Sequence, residues 1–119
     1  MARVAVVDDS RLMRHLVGRV LQASGHEALY WEEANPEDIL GRIQEQDPDL
    51  LITDYLMPDC DGLTVAKLAR GAKPDLPVVL LTAVHDPALS QAQSRGEVDR
   101  IIHKPLHDQD LREALRALL

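Results

Sequence analysis

Apolar positions along the chain follow two rhythms. Five short apolar-rich runs read as strands: Arg3–Val7, His26–Trp31, Leu50–Thr53, Val78–Leu81 and Val98–Ile102. In the first, Val4, Ala5, Val6 and Val7 follow one another with no polar residue between them, the pattern of a strand buried on both faces. Between the runs lie stretches with helical spacing. The first comes after Ser10, sets Leu12, Leu16, Val17, Val20 and Leu21 on one face, and stops at Gly25. The second starts at Asn35-Pro36, a cap residue followed by proline at the first helical position, and is expected to bury Ile39, Leu40 and Ile43. The third comes after Asp61-Gly62 and ends near Gly71. The fourth opens with Asp86-Pro87, but its body, ALSQAQS, is small and polar. The fifth presents Leu111, Ala114, Leu115 and Leu118.

Five strand–helix units in 119 residues predict an α/β domain, residues 1–119, with a five-stranded parallel sheet flanked by five helices. Right-handed crossovers leave few topologies, and the doubly wound, flavodoxin-like order 2-1-3-4-5 is the expected one. Ligands of such sheets sit outside the carboxyl ends of the strands.

By that rule, the residues at the strand ends are the ones placed to do chemistry. The first strand ends in Asp8 and Asp9, the third in Asp54, the fourth in Thr82, and the fifth in His103, Lys104 and Pro105. Brought to one edge, three carboxylates would repel one another and raise each other's pKa unless a cation were present. Hard oxygen ligands in such a group suit Mg²⁺. A carboxylate can also attack phosphorus to give an aspartyl phosphate, with metal, lysine and hydroxyl meeting the phosphoryl oxygens. Taken one at a time the residues have plainer readings. Asp9 or Ser10 could cap the first helix, Lys104 could be a solvated lysine, and Thr82 an ordinary strand-end residue. Their shared position at four strand ends favours the chemical reading.

These residues resemble a known pattern. VVDDS (Val6–Ser10), DYLMPDCDG (Asp54–Gly62), LLTA (Leu80–Ala83) and HKP (His103–Pro105) together are similar to the receiver domain of bacterial two-component response regulators, and the likeness runs from Arg3 to Leu119. The resemblance implies that Asp54 is the phosphoacceptor. It implies Asp9 as a direct Mg²⁺ ligand, Asp8 as the holder of a metal-bound water, and the Leu56 backbone carbonyl as a further ligand. Thr82 would bond a phosphoryl oxygen, Lys104 would pair with the phosphate, and a cis peptide before Pro105 would aim the lysine. The implied donor is a sensor histidine kinase or phosphotransfer protein, and the implied recipient a downstream output protein or domain. Helix 4, strand 5 and helix 5 would form the partner face, with a second copy of the chain as one candidate.

Two departures matter. The family usually has an aromatic residue three positions before the lysine, where this chain has Ile101. The positions that flank the path of attacking water in the family are Leu56 and Val84 here, both apolar, which implies slow loss of the phosphate.

Composition narrows the remaining classes. A net charge of −7, from 13 basic and 20 acidic residues, argues against direct nucleic-acid binding. No run is apolar enough to span a membrane, and the start has no signal-peptide pattern, so the expected compartment is the cytoplasm. The single cysteine, Cys60, reads as an inert, exposed thiol. His15 reads as solvated, and His103 and His107 lack a further ligand for a metal site. The expected protein is a signalling module that catalyses only its own phosphorylation and dephosphorylation. A pseudo-receiver serving as an interaction scaffold is the alternative, disfavoured by the intact set Asp8, Asp9, Asp54, Thr82 and Lys104. A Mg²⁺-dependent aspartyl-phosphate phosphatase of the haloacid-dehalogenase type would need a DxD motif after the first strand and usually a cap domain, and this chain has neither. Nor does it carry a glycine-rich phosphate loop.

Overall fold

The computed structural model describes residues 1–119. Its elements are β1 (Arg3–Val7), α1 (Arg11–Ala23), β2 (Glu27–Trp31), α2 (Pro36–Gln46), β3 (Leu50–Asp54), α3 (Gly62–Ala72), β4 (Val78–Thr82), α4 (Pro87–Ser94), β5 (Arg100–His103) and α5 (Asp108–Leu118). The strands form one parallel sheet in the order β2-β1-β3-β4-β5, the flavodoxin-like arrangement expected from the sequence. No helix is long and apolar enough to cross a membrane.

Side chains alternate across a strand, so each buried strand feeds two cores. Ala5, Val7, Leu51, Val78 and Leu80 pack with Trp31, Ile39, Ile43, Val65 and Leu89 on the α2, α3 and α4 side. Val4, Val6, Leu50, Ile52, Val79, Leu81 and Ile102 pack with Val17, Leu21, Leu111 and Leu115 on the α1 and α5 side. The unbroken apolar runs are explained by these two dry faces. The same alternation determines what lies at the strand ends. Asp8 continues the row of Val4 and Val6, Asp54 that of Leu50 and Ile52, and Lys104 that of Ile102. All three fall on the α1 and α5 side.

The helices begin where local chemistry predicts. Ser10 caps α1 by accepting from the Met13 amide, Asn35 caps α2, Asp61 caps α3 and Asp86 caps α4. After α1, Gly25 takes the left-handed φ of 80° that ends the helix. Two expected core residues are on the surface. Leu12 is 66% exposed and Leu40 48%. Leu12 lies in the first turn of α1, ahead of the segment from Val17 onward that meets the sheet. Leu40 comes one residue after Ile39, about 100° around the helix from the Ile39–Ile43 line that faces the core. Strand 5 also starts later than expected. Val98 is buried, but the carboxylate of Asp99 takes the Val78 amide and the Arg70 guanidinium, so the ladder begins at Arg100.

Glycine at position 62 is a packing requirement. A Cβ there would lie 2.3 Å from the Asp54 carbonyl oxygen and 2.6 Å from Leu80 Cδ1, so α3 can approach β3 only without one. A Cβ on Gly71, in the same helix, would meet nothing within 4 Å. Gly62→Ala is expected to lower stability in urea unfolding by about 1–3 kcal/mol, as overpacking does. Gly71→Ala is expected to raise it by up to about 1 kcal/mol.

Candidate functional site

The carboxyl ends of β1, β3 and β4 and the turn after β5 place Asp8, Asp9, Asp54, Thr82 and Lys104 at one edge of the sheet. One carboxylate oxygen from each of Asp8, Asp9 and Asp54 lies within 4.8 Å of the others. Asp8 and Asp54 are buried, whereas Asp9 is exposed at the mouth. Lys104 joins the buried pair, with Nζ 3.1 Å from Asp54 Oδ1 and 3.8 Å from Asp8 Oδ2. The Lys104–Pro105 peptide is cis, as the resemblance implied.

Each aspartate is held differently. Asp8 Oδ1 accepts from the Ser10 amide at 2.8 Å, and the Asp8 carbonyl accepts from Arg14 Nη1 at 2.7 Å. Because Ser10 supplies the helix cap, Asp9 is spared that role and points a carboxylate at the cluster. Asp54 Oδ1 accepts from the Tyr55 amide at 2.9 Å as well as from Lys104, and no protein group donates to Oδ2. The Thr82 hydroxyl oxygen accepts from the Val84 amide at 2.9 Å. Its proton is thereby left to donate outward.

One atom stands out. Asp8 Oδ2 is fully buried and receives no hydrogen bond. Burial raises the Asp8 pKa above its ordinary value, and repulsion from Asp54 adds to this. The Ser10 amide and the Lys104 charge act in the opposite direction without cancelling it. A buried carboxylate oxygen without a donor is costly to keep charged. Three clustered carboxylates and one orphaned oxygen make a donor set that fits a hard divalent cation bound through oxygen.

Other residues take plainer places. Cys60 is partly buried against the α2, α3 and α4 core rather than exposed, and that burial pushes its thiol up, with the Asp61 and Asp59 carboxylates adding to the effect. His15 is exposed on α1. Leu56 is 60% exposed at the mouth, and Val84 is half-buried. Sequence reasoning did not find Arg14, the Tyr55 and Val84 amides, or His85. None sits at a diagnostic spacing, and their roles come from backbone geometry or from contacts between distant segments.

The Asp8 shift predicts a pH and metal dependence. Its folded pKa lies above the unfolded one, so the folded state binds more protons. Stability of the metal-free protein is therefore greatest below about pH 3.8 as far as this group is concerned, and falls as pH rises through the folded value. Asp8→Asn is expected to raise the neutral-pH Tm of the metal-free protein and to flatten that slope. Mg²⁺ at a hundred times its Kd should stabilise the parent by about 2.7 kcal/mol, and the variant by less at the same concentration. Scanning calorimetry across pH, with and without Mg²⁺, checks both.

Comparison with known proteins agrees with this geometry. The family model of the response regulator receiver domain matches residues 4–116. The response regulator receiver protein CpdR of Brucella abortus is 28% identical over 119 residues, all of this chain and 98% of that protein. The virulence transcriptional regulatory protein PhoP of Salmonella typhimurium is 34% identical over the whole chain, which spans 52% of PhoP. Among solved structures, the chemotaxis protein CheY4 of Vibrio cholerae superimposes with a TM-score of 0.87 at 27% identity, covering 100% of this chain and 99% of that one. The response regulator TrrA of Thermotoga maritima, solved in complex with Mg²⁺ and BeF, does so with a TM-score of 0.84 at 34% identity, with both chains covered completely. These are signalling proteins rather than metabolic enzymes, and with the family model matched over nearly its whole length, this chain belongs to the response regulator receiver domain family of two-component systems.

Proposed function

We propose that residues 1–119 are one receiver domain in which Asp54 takes a phosphoryl group in a Mg²⁺-dependent reaction and thereby changes its interactions with other proteins. The observation that carries this is the convergence of Asp8, Asp9 and Asp54 within 4.8 Å, with Lys104 reaching both buried members. A scaffold without phosphoryl chemistry has no need of a buried carboxylate oxygen that receives no hydrogen bond. The Mg²⁺–BeF complex of TrrA supports the choice of metal.

Asp8, Asp9, Asp54 and the Leu56 carbonyl would hold the cation. When bound, it would supply positive charge against the phosphoryl oxygens and the aspartate cluster. Asp54 Oδ2, uncommitted to any protein donor, is the attacking oxygen. It forms the new O–P bond while the bond from phosphorus to the donor's imidazole nitrogen breaks. The electron pair of that bond stays on the nitrogen, and with a proton carried on its other ring nitrogen the donor leaves as a neutral imidazole. Lys104 moves its hydrogen bond from the carboxylate to a phosphoryl oxygen, and the Thr82 hydroxyl donates to another. The proposed donor is a phosphohistidine on a sensor kinase or phosphotransfer protein. The proposed recipients are an output protein or domain, or a second copy, at the α4–β5–α5 face.

Acetyl phosphate and Mg²⁺ should place one base-labile phosphate on Asp54. Asp54→Asn or excess chelator should reduce labelling to background, and undiminished labelling in either case would refute the assignment. Lifetime provides a second check. Leu56 and Val84 are apolar and cannot hold an attacking water, so the phosphate should persist. Leu56→Asn combined with Val84→Glu should lose it several-fold faster, measured by decay of the label after donor removal.

A further inference from the structure

One contact outside the cluster joins two segments that both end in it. His85 and His103 stack with ring centroids 4.0 Å apart and planes 15° from parallel. His85 lies three residues beyond Thr82, and the Val84 amide between them is the one that donates to the Thr82 hydroxyl. His103 is the partner of Thr82 in the β4–β5 ladder and directly precedes Lys104. The Lys104 amide donates to the Thr82 carbonyl at 2.8 Å. Both histidines are exposed, so core packing does not force the rings together. Ring nitrogen lone pairs lie in the ring planes, and in near-parallel rings they run side by side instead of converging on an ion. This geometry is that of a clasp between the β4–α4 loop and the end of β5, not of a metal chelate.

We propose that the His85–His103 stack is a latch that fixes the Thr82 hydroxyl and the Lys104 ammonium in their relative positions. The proposal rests on the reading of Asp54 as phosphoacceptor for its consequence, but not for the latch itself. Aromatic rings in offset stacks attract, so the contact ties the loop after β4 to the end of β5. His85 and His103 are positioning residues here, since neither reaches the reacting atoms. With Ile101 on β5 in place of a large ring, this stack is the aromatic contact that ties β5 to the loop.

Amide exchange of the metal-free protein tests the latch without any phosphoryl chemistry. His85→Ala and His103→Ala should each speed exchange of the Val84 and Lys104 amides by about two- to tenfold, the range spanned by an aromatic pair. The double alanine variant should be no faster than either single one, because both remove the same interaction. His85→Phe with His103→Phe keeps two stackable rings and should restore protection. Labelling by acetyl phosphate and Mg²⁺ should slow by a similar factor in the alanine variants and recover in the phenylalanine pair. Unchanged exchange in the alanine variants, additive effects in the double variant, or no recovery of protection in the phenylalanine pair would overturn the latch. Faster exchange with unchanged labelling would overturn its positioning role. Absence of label on the parent protein, with the exchange pattern as expected, would instead overturn the phosphoacceptor reading and leave the latch standing.

Discussion

The structure depends on how a buried carboxylate is tolerated at the end of a dry sheet. Asp8 is 1% exposed and is flanked by two further carboxylates, yet one of its oxygens has no hydrogen bond. Desolvation and repulsion both oppose its charge, and they outweigh the Ser10 amide and the single ammonium of Lys104. A folded chain can carry such a group because the cost of a few kcal/mol is spread against two well-packed cores. The unmet charge is also what suits the edge to the cation of the proposed function.

The sheet supplies the placement. Parallel pairing in register brings Val7 beside Thr53, Asp54 beside Leu81, and Thr82 beside His103. The strand ends therefore stop at a common level, and residues one or two positions beyond them meet above the edge. Strand alternation then selects the face, with Asp8, Asp54 and Lys104 on the α1 and α5 side and Thr82 in the other row. Gly62 completes the frame by letting α3 sit against the Asp54 carbonyl, and its amide donates to the Tyr55 carbonyl at 2.8 Å. The acidic edge is thus carried by backbone held from several directions.

The loop after β4 is held more lightly. It runs from Thr82 to the Asp86 cap of a helix of 8 residues that buries only Leu89 and Ala92. Few buried contacts imply a low cost of local rearrangement. A site on a rigid frame with one lightly held wall is suited to signalling. The chemistry needs fixed groups, while the response needs a segment that can move.

Local signals in the chain were enough to read the architecture and the composition of the site. Apolar runs with no alternation, the caps at Asn35 and Asp86, and the stop at Gly25 each appear in the fold as read, and of the two cap candidates for the first helix Ser10 is the one used. The strand-end rule also located Asp8, Asp9, Asp54, Thr82 and Lys104, because strand number and chain direction suffice to put them at one edge. Anything set by the contact of distant segments was not legible in this way. Leu12 and Leu40 carry the apolar character of core residues, and only the place where each helix meets the sheet left them exposed. Strand 5 begins at Arg100 because the Asp99 side chain captures a backbone amide and a guanidinium from elsewhere in the chain. The orphaned oxygen of Asp8, the Arg14 bond to its carbonyl and the stacking of His85 on His103 likewise have no sequence signature. Periodicity and capping act over a few residues and are written in residue type. Burial of one particular atom, and the meeting of two rings from separate elements, arise only when the helices and loops pack against the sheet.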